Sequence, residues 1–311
     1  MPYDALGFPI PSRFDEPAAD RSRRIPAAPR RPGSPGRGKR LLVLGLLAAV
    51  IGPGLLAPAV LPVVREAVVR WSVRRAFGHE ARGEPAAAIG DVGRALAWSG
   101  DDARLAMDLL CWRATLRLDA GDAAGAVADA SQAVVLAPLA SRPRQVRALV
   151  NVVLARADEA LADAEAAVEL AGAGDPGALN HRAYVRALVG RDLEAALADI
   201  ESALADDDAP PPELLDTRGY VLHLLGRHQE AIDDLNRAIV AVESRRRDLA
   251  ARLGLDEAAG GVRQLRSIDR DLAVMHHHRG LACRAAGLVG QAEQDLAIAE
   301  SKGYDPSRGV M

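Results

Sequence analysis

A frame of small residues, repeated six times, constrains this 311-residue chain more than any other feature. The clearest copy runs from Leu214 to Ile239. In it Gly219 is followed seven residues later by Gly226, twelve later by Ala231, sixteen later by Leu235 and nineteen later by Ala238. Five further segments fit the same frame, opening on Ala76, Ala114, Ala148, Ala183 and Gly280; with Gly219 in its place the successive intervals are 38, 34, 35, 36 and 61 residues. The turn position holds Gly83, Gly121, Ala155, Gly190, Gly226 and Gly287, and the second half of each copy opens on Ala88, Ala126, Ala160, Ala196, Ala231 and Ala292. Ala196 arrives one residue late, a single insertion in that turn. Each copy closes with Ala95, Ala133, Ala167, Ala203, Ala238 or Ala299, seven residues further on and so on the same helical face. Small residues at these places let two helices approach closely, and a central glycine ends the first helix with positive φ.

The pattern resembles the tetratricopeptide repeat, a helical hairpin that stacks on its neighbours, and the resemblance covers roughly residues 70–306. It implies an all-α, right-handed superhelical solenoid of about six hairpins, at about 70–100, 107–138, 141–172, 176–206, 212–243 and 273–304. The copies depart from the family pattern. The family often places a large aromatic in each first helix and a Pro after each second one, whereas here aromatics are 3% of the chain and only Pro138 is well placed, with Pro176, Pro210 and Pro306 a few residues late. The 61-residue interval predicts a hairpin with elongated arms at about 240–275, turning at Glu257 to Gly261.

Two charges recur with the frame. Arg75, Arg113, Arg147, Arg182, Arg218 and Arg279 immediately precede the first small residue, and Asp91, Asp129, Asp163, Asp199, Asp234 and Asp295 follow the second-helix alanine by three. A repeated pair predicts a repeated bond, an Arg–Asp ladder built on the planar guanidinium fork; a row of ligand-binding arginines is the alternative.

Before the repeats, residues 1–40 are rich in Pro and Arg and lack helical periodicity, so they read as a disordered basic tail. Gly33 to Lys39 formally matches a phosphate loop, but Arg40 stands where the magnesium-binding Ser or Thr belongs and no strand precedes it. Leu41 to Val64 is a charge-free run of 24 residues, spanning about 36 Å as a helix against a hydrocarbon core of about 30 Å. It reads as a single transmembrane helix with a kink near Gly52-Pro53-Gly54, caused by the prolines. A cleaved signal peptide and a buried or interfacial helix are the alternatives. Eight Lys/Arg lie between Arg21 and Arg40, whereas Arg65, Arg70, Arg74 and Arg75 follow the run, which favours a cytoplasmic N-terminus and an extracytoplasmic repeat domain over 65–306. Residues 307–311 form a short C-terminal tail.

The net charge of −3 hides an asymmetry: residues 1–40 hold nine Lys/Arg and four Asp/Glu, a balance of +5. The acidic body, with few aromatics, lacks the basic stripe and stacking platform of a nucleic-acid binder. Cys111 and Cys283 fall in the second and sixth repeats, too far apart for a disulfide, and read as buried small apolar residues. His276, His277 and His278 are consecutive and point about 100° apart on a helix, so they cannot all hold one metal. No nucleophile elbow, zinc motif or dinucleotide fingerprint occurs. The expectation is a non-enzymatic chain without cofactor or metal.

In the family the first helices line the concave side, where peptides or partner helices dock. By that resemblance Asn180, Asp216 and His277 stand three residues before the small residue, Tyr184 and Tyr220 one after it, and His223 nearby. These six form the candidate protein-binding groove. The Lys/Asn arrangement of carboxylate-clamp relatives, which hold chaperone C-termini, is absent. Two functions remain open: a membrane-anchored scaffold or adaptor that binds a protein or peptide in its groove, and a structural component that docks laterally into a larger membrane-associated complex.

Overall fold

The computed structural model describes residues 53–205, 209–253 and 259–304. The basic tail, the phosphate-loop match, the first half of the apolar run with Gly52 of its expected kink, Glu257 and Ala258 of the turn expected at Glu257–Gly261, and residues 307–311 lie outside the described residues, while 259–261 of that turn are already helical. Those described form twelve α-helices and no strand. In chain order they are α1 (Pro53–Arg82), α2 (Pro85–Ala97), α3 (Ala103–Asp119), α4 (Ala123–Leu136), α5 (Ser141–Val153), α6 (Ala157–Ala171), α7 (Pro176–Val189), α8 (Leu193–Leu204), α9 (Pro212–Leu224), α10 (His228–Leu253), α11 (Ala259–Ala285) and α12 (Val289–Ser301).

Local chemistry sets many of the boundaries. Pro85, Pro176 and Pro212 open α2, α7 and α9, where the missing N–H costs nothing. The Asp102, Asp122 and Asp175 carboxylates accept hydrogen bonds at 2.7–2.9 Å from the N–H groups of Leu105, Gly125 and Ala178, capping α3, α4 and α7. All six turn positions have positive φ, five of them glycines and the sixth Ala155 at 55°. The inserted residue before α8 is absorbed by a second left-handed residue, Asp192 at φ 52°.

Consecutive helices pair into six antiparallel hairpins, α1·α2 through α11·α12, and each hairpin packs on the next. The seam of each is made of small residues: Ala76, Ala88, Ala114, Ala126, Ala148, Ala160, Ala183, Ala196, Ala231 and Ala292 are buried. The glycines are matched to bulk across the seam. A Cβ on Gly219 would sit 2.7 Å from Leu235 Cγ, and one on Gly280 2.9 Å from Leu296 Cγ. Where Ala stands at the first position, the corresponding partner is smaller or β-branched: Val92, Ala130, Ala164 and Ile200, all buried. Cys111 and Cys283 are buried in different hydrophobic clusters.

From α3 onward successive first helices touch one another, α3·α5, α5·α7, α7·α9 and α9·α11, while second helices make no comparable contact with each other. The first helices are therefore the inner layer. The elongated arms change the topology. α11 is 27 residues long where the inner helices α3 to α9 have 13 to 17, and its N-terminal half runs back to pack on α1. The series of inner contacts thus closes on itself, and the stack becomes a ring.

The apolar run expected to cross a membrane is only partly within view. Its described part, from Pro53, is continuous with the first helix of the first hairpin, and no break occurs at residue 65. Pro58 and Pro62 lie inside α1. No helix of the described residues is long and apolar enough to cross a membrane.

Ala155 gives a test of the turn. A left-handed residue with a Cβ costs about 1–2 kcal/mol, partly offset by the backbone entropy that glycine loses on folding. Ala155 is exposed, so its methyl contributes no packing. Ala155→Gly should therefore stabilise the protein by about 0.5–1 kcal/mol in denaturant unfolding, whereas Ala162→Gly, at an exposed position inside α6, should destabilise it by a similar amount.

Candidate functional site

The repeated Arg–Asp pair is made in all six hairpins. Arg113 donates through Nε and Nη2 to the two carboxylate oxygens of Asp129 at 2.8 and 2.6 Å, and Arg147–Asp163, Arg182–Asp199, Arg218–Asp234 and Arg279–Asp295 repeat the fork within 2.8 Å. Arg75–Asp91 is looser at 3.2 Å, because Arg94 also bonds Asp91 and Arg75 lies over the Trp71 ring. All six aspartates are buried. Several gain a second donor one turn along the first helix, from Arg117, Asn151 or Arg186, and Asp295 gains one from His276 at 2.9 Å. Burial alone would raise the Asp295 carboxyl, but the bonds from Arg279 and His276 hold it below its usual value. Arg182 also reaches Glu165, and Arg279 reaches Asn236, both on the preceding hairpin. These arginines are structural clamps, and each faces its own aspartate.

The second constellation lies on α7, α9 and α11. Tyr184 and Tyr220, one helical step past their small residues, have ring centroids 6.4 Å apart. Tyr220 stacks on His278 at 4.1 Å, and His278 lies edge-on to Tyr184 at 6.4 Å. Asp216, one turn before Tyr220, is buried and bonded at 2.9 Å to Nδ1 of His278. His277 stacks instead on Tyr304, at 4.2 Å. His223 faces His228 across its own hairpin turn, with Nδ1 atoms 3.2 Å apart. Asn180 is half-buried on α7, and its Oδ1 has no hydrogen-bond partner among the described residues.

The six candidate residues therefore divide. Tyr184, Asp216 and Tyr220 converge with His278 in one cluster, His277 joins it through Tyr304, and His223 belongs to the α9–α10 turn. The sequence frame marked His277 as the inward residue, but its neighbour His278 meets Asp216 and Tyr220. Tyr304 had no signal in the frame, since it follows the last helix. Asp216 is a buried partner of His278 and not a solvated groove group.

Burial sets the electrostatics here. The Tyr184 phenol is pushed well above its usual value by burial and then by Asp216, Tyr304 and Tyr220, and Tyr220 is raised by burial and Asp216. His277 is lowered to about 4 by burial and by the charges of His278 and Arg284. Asp271, on the face of α11 toward α9, is raised to about 7 by burial and by Glu213 and Asp216, against the pull of Arg270 and Arg245. Both tyrosines stay neutral donors at any physiological pH. Among the described residues no three His, Cys, Asp or Glu side chains are grouped to hold a metal ion.

With this geometry in place, the chain can be compared with known proteins. No protein-family model matches the sequence, and no curated protein matches it. Solved structures do. The chain is similar in fold to tetratricopeptide-repeat proteins. One, from Parabacteroides merdae, is 16% identical over 77% of this chain and 94% of its own, with a TM-score of 0.45. The thermophilic protein TTC0263 of Thermus thermophilus is 22% identical over 56% of this chain and 90% of its own, at 0.46. YrrB, a tetratricopeptide-repeat protein described as having an unusual peptide-binding site, is 16% identical over 70% of this chain and 95% of its own, at 0.35.

The raised carboxyl of Asp271 has a measurable consequence. A carboxyl whose folded value lies above its unfolded one binds its proton more tightly in the fold, so its contribution is present below about pH 4 and is lost as pH rises through about 7. Asp271→Asn should flatten the pH dependence of unfolding free energy between pH 4 and 8 by on the order of 2–4 kcal/mol, with the variant gaining on wild type at the alkaline end. Urea titrations at several pH values check this.

Proposed function

We propose that this protein is a membrane-tethered scaffold that binds a protein or peptide partner through the inner face of its fourth to sixth hairpins. The observation that carries the reading is the Tyr184–Tyr220–His278 cluster, which offers aromatic faces and neutral phenolic donors at matching positions of adjacent inner helices. Such a row suits an extended segment, whose backbone accepts the phenolic hydrogen bonds while the rings cover its apolar side chains. The chemistry is that of binding and not of catalysis.

Leu41 to Val64 supplies the tether in this reading, with the N-terminus cytoplasmic and the repeats outside. In support, Val60, Leu61, Val63 and Val64 form an exposed apolar surface on α1. Carbonate extraction of membranes should leave the protein in the pellet, and proteases added to right-side-out vesicles should reach the repeats. Release of intact protein by carbonate would remove the tether.

Aromatic anchors often carry about 2 kcal/mol or more of binding energy each. Tyr184→Ala with Tyr220→Ala should thus abolish capture of partners by photo-crosslinking in intact membranes while preserving helical circular dichroism. One observation favours the lateral-assembly reading. Val135, Leu136 and Leu139 are exposed together at the α4–α5 turn, Val135 and Leu139 by more than 80%. If the double tyrosine variant still captures partners and Val135→Ser with Leu139→Ser does not, lateral assembly is the function.

A further inference from the structure

The N-terminal half of α11 does what no hairpin stack requires. Beyond Ala273, where the last repeat begins, α11 extends for fourteen further residues, 259–272, about 21 Å of helix. That extension ends against the first two hairpins. Arg263 Nε bonds Glu80 Oε2 at 2.9 Å, with both side chains largely buried, and its guanidinium lies 4.4 Å from the centre of the Phe77 ring. Phe77 in turn packs on Trp112 at 4.7 Å, and Arg263 stands 5.9 Å from that ring. Arg270 reaches Asp119 at 3.3 Å and Glu80 at 3.6 Å. Two aromatic faces and two carboxylates thus form a notch that two guanidinium groups fill.

The notch and the aromatic cluster lie on the same inner layer. Phe77 occupies in α1 the place that Tyr184 and Tyr220 take in α7 and α9, so the extension crosses the inner side from the sixth hairpin to the first. We propose that the N-terminal half of α11 is a latch: with Arg263 and Arg270 in the Phe77–Glu80–Trp112–Asp119 notch the inner face is shut, and a partner reaches it only after the latch opens. Its bearing on partner access rests on the groove reading above; the latch itself does not.

Two features suit a contact that must release. Its attraction is largely electrostatic, and its Arg270 arm, a third exposed, is open to water and salt, although the Arg263–Glu80 pair is largely buried. Beside it the Trp112 Nε1–H is buried and has no acceptor among the described residues. The contact on the other side of α11, by contrast, is apolar: Leu215, Ile239, Val242, Ile268, Leu272 and Met275 share one core. Release therefore pivots about that core.

The test uses the full chain in detergent micelles. Spin labels on Ala87→Cys and Gln264→Cys, both exposed sites, report the span between the first hairpin and the extension. Wild-type latch residues should give one narrow distance distribution. Arg263→Glu with Arg270→Glu should lengthen and broaden it, and adding Glu80→Arg to that pair, which gives both new carboxylates a cation to meet, should bring it back toward wild type. A second readout is the labelling of Thr115→Cys, at the Phe77 place in α3, by a maleimide-linked polymer too large to enter a shut ring. Its rate should rise at least about tenfold in the reversed variant, as about 1.4 kcal/mol of lost latch free energy would produce. Should the reversed pair unfold, Arg263→Gln with Arg270→Gln must move both readouts the same way. An unchanged distance distribution with intact helical content overturns the latch, and opening without faster labelling overturns the gating. Failure of the tyrosine variant to lose partners, with both readouts as expected, would overturn the groove reading and leave the latch standing.

Discussion

Everything in this fold depends on two helices meeting at a small residue, and on the charge pair that stands beside that meeting point. In each hairpin the Arg one position before the small residue binds an Asp one turn beyond the facing alanine. The seam fixes the distance between the helices and the fork fixes their rotation. A buried aspartate left alone is costly, and removing its partner typically costs about 3–5 kcal/mol. The six aspartates therefore make the register of each hairpin close to all-or-none. They do so at seams built of small and aliphatic residues, in a chain with 3% aromatics.

A stack of this kind is ordinarily one-dimensional, each unit depending only on its neighbours. Here the extension of α11 adds a contact between residues 183 apart in sequence, Arg263 and Glu80. The contact constrains the stack differently from the seams. Seams are apolar and local, whereas the ring closure is polar and links residues far apart in sequence. The first and last hairpins, normally the frayed ends of a repeat array, are thereby held together through a junction of modest strength.

Most of the hairpin architecture was legible because the frame is periodic and its physics is local: small residue, left-handed turn, alanine seam, Arg before and Asp after. Even Ala155 and the insertion before α8 could be placed, since the turn demands positive φ whatever residue stands there. The inner face was less legible. Tyr184 and Tyr220 follow from the frame, but His278 instead of His277 meets them, because the face that α11 turns to its neighbours is set by packing between repeats and not within one. The ring closure left no periodic signal at all. Arg263 and Arg270 look like ordinary solvated charges on an amphipathic helix, and only the length of that helix, set against a distant pair of carboxylates, shows where they go. Pro176 misled in the same way: it read as a late terminator, yet it is the first residue of α7, where its lack of an N–H is harmless.

α1 joins these themes, because it carries both ends of the mechanism. Its N-terminal half presents Val60, Leu61, Val63 and Val64 outward, and its C-terminal half carries Phe77 and Glu80, the receiving side of the ring closure. Val64 and Phe77 are thirteen residues apart on one unbroken helix, which sets them about 20 Å from each other along its axis. A rigid helix transmits position where a flexible linker would not. If the apolar end lies in a bilayer, the notch stands no more than about 20 Å from it along the helix. A partner tethered to the same membrane then needs only a short extended segment, about six residues at about 3.3 Å each, to reach the latch. The shared helix makes the reach of the scaffold a matter of helix length, which insertion of a single turn into α1 would rotate as well as lengthen.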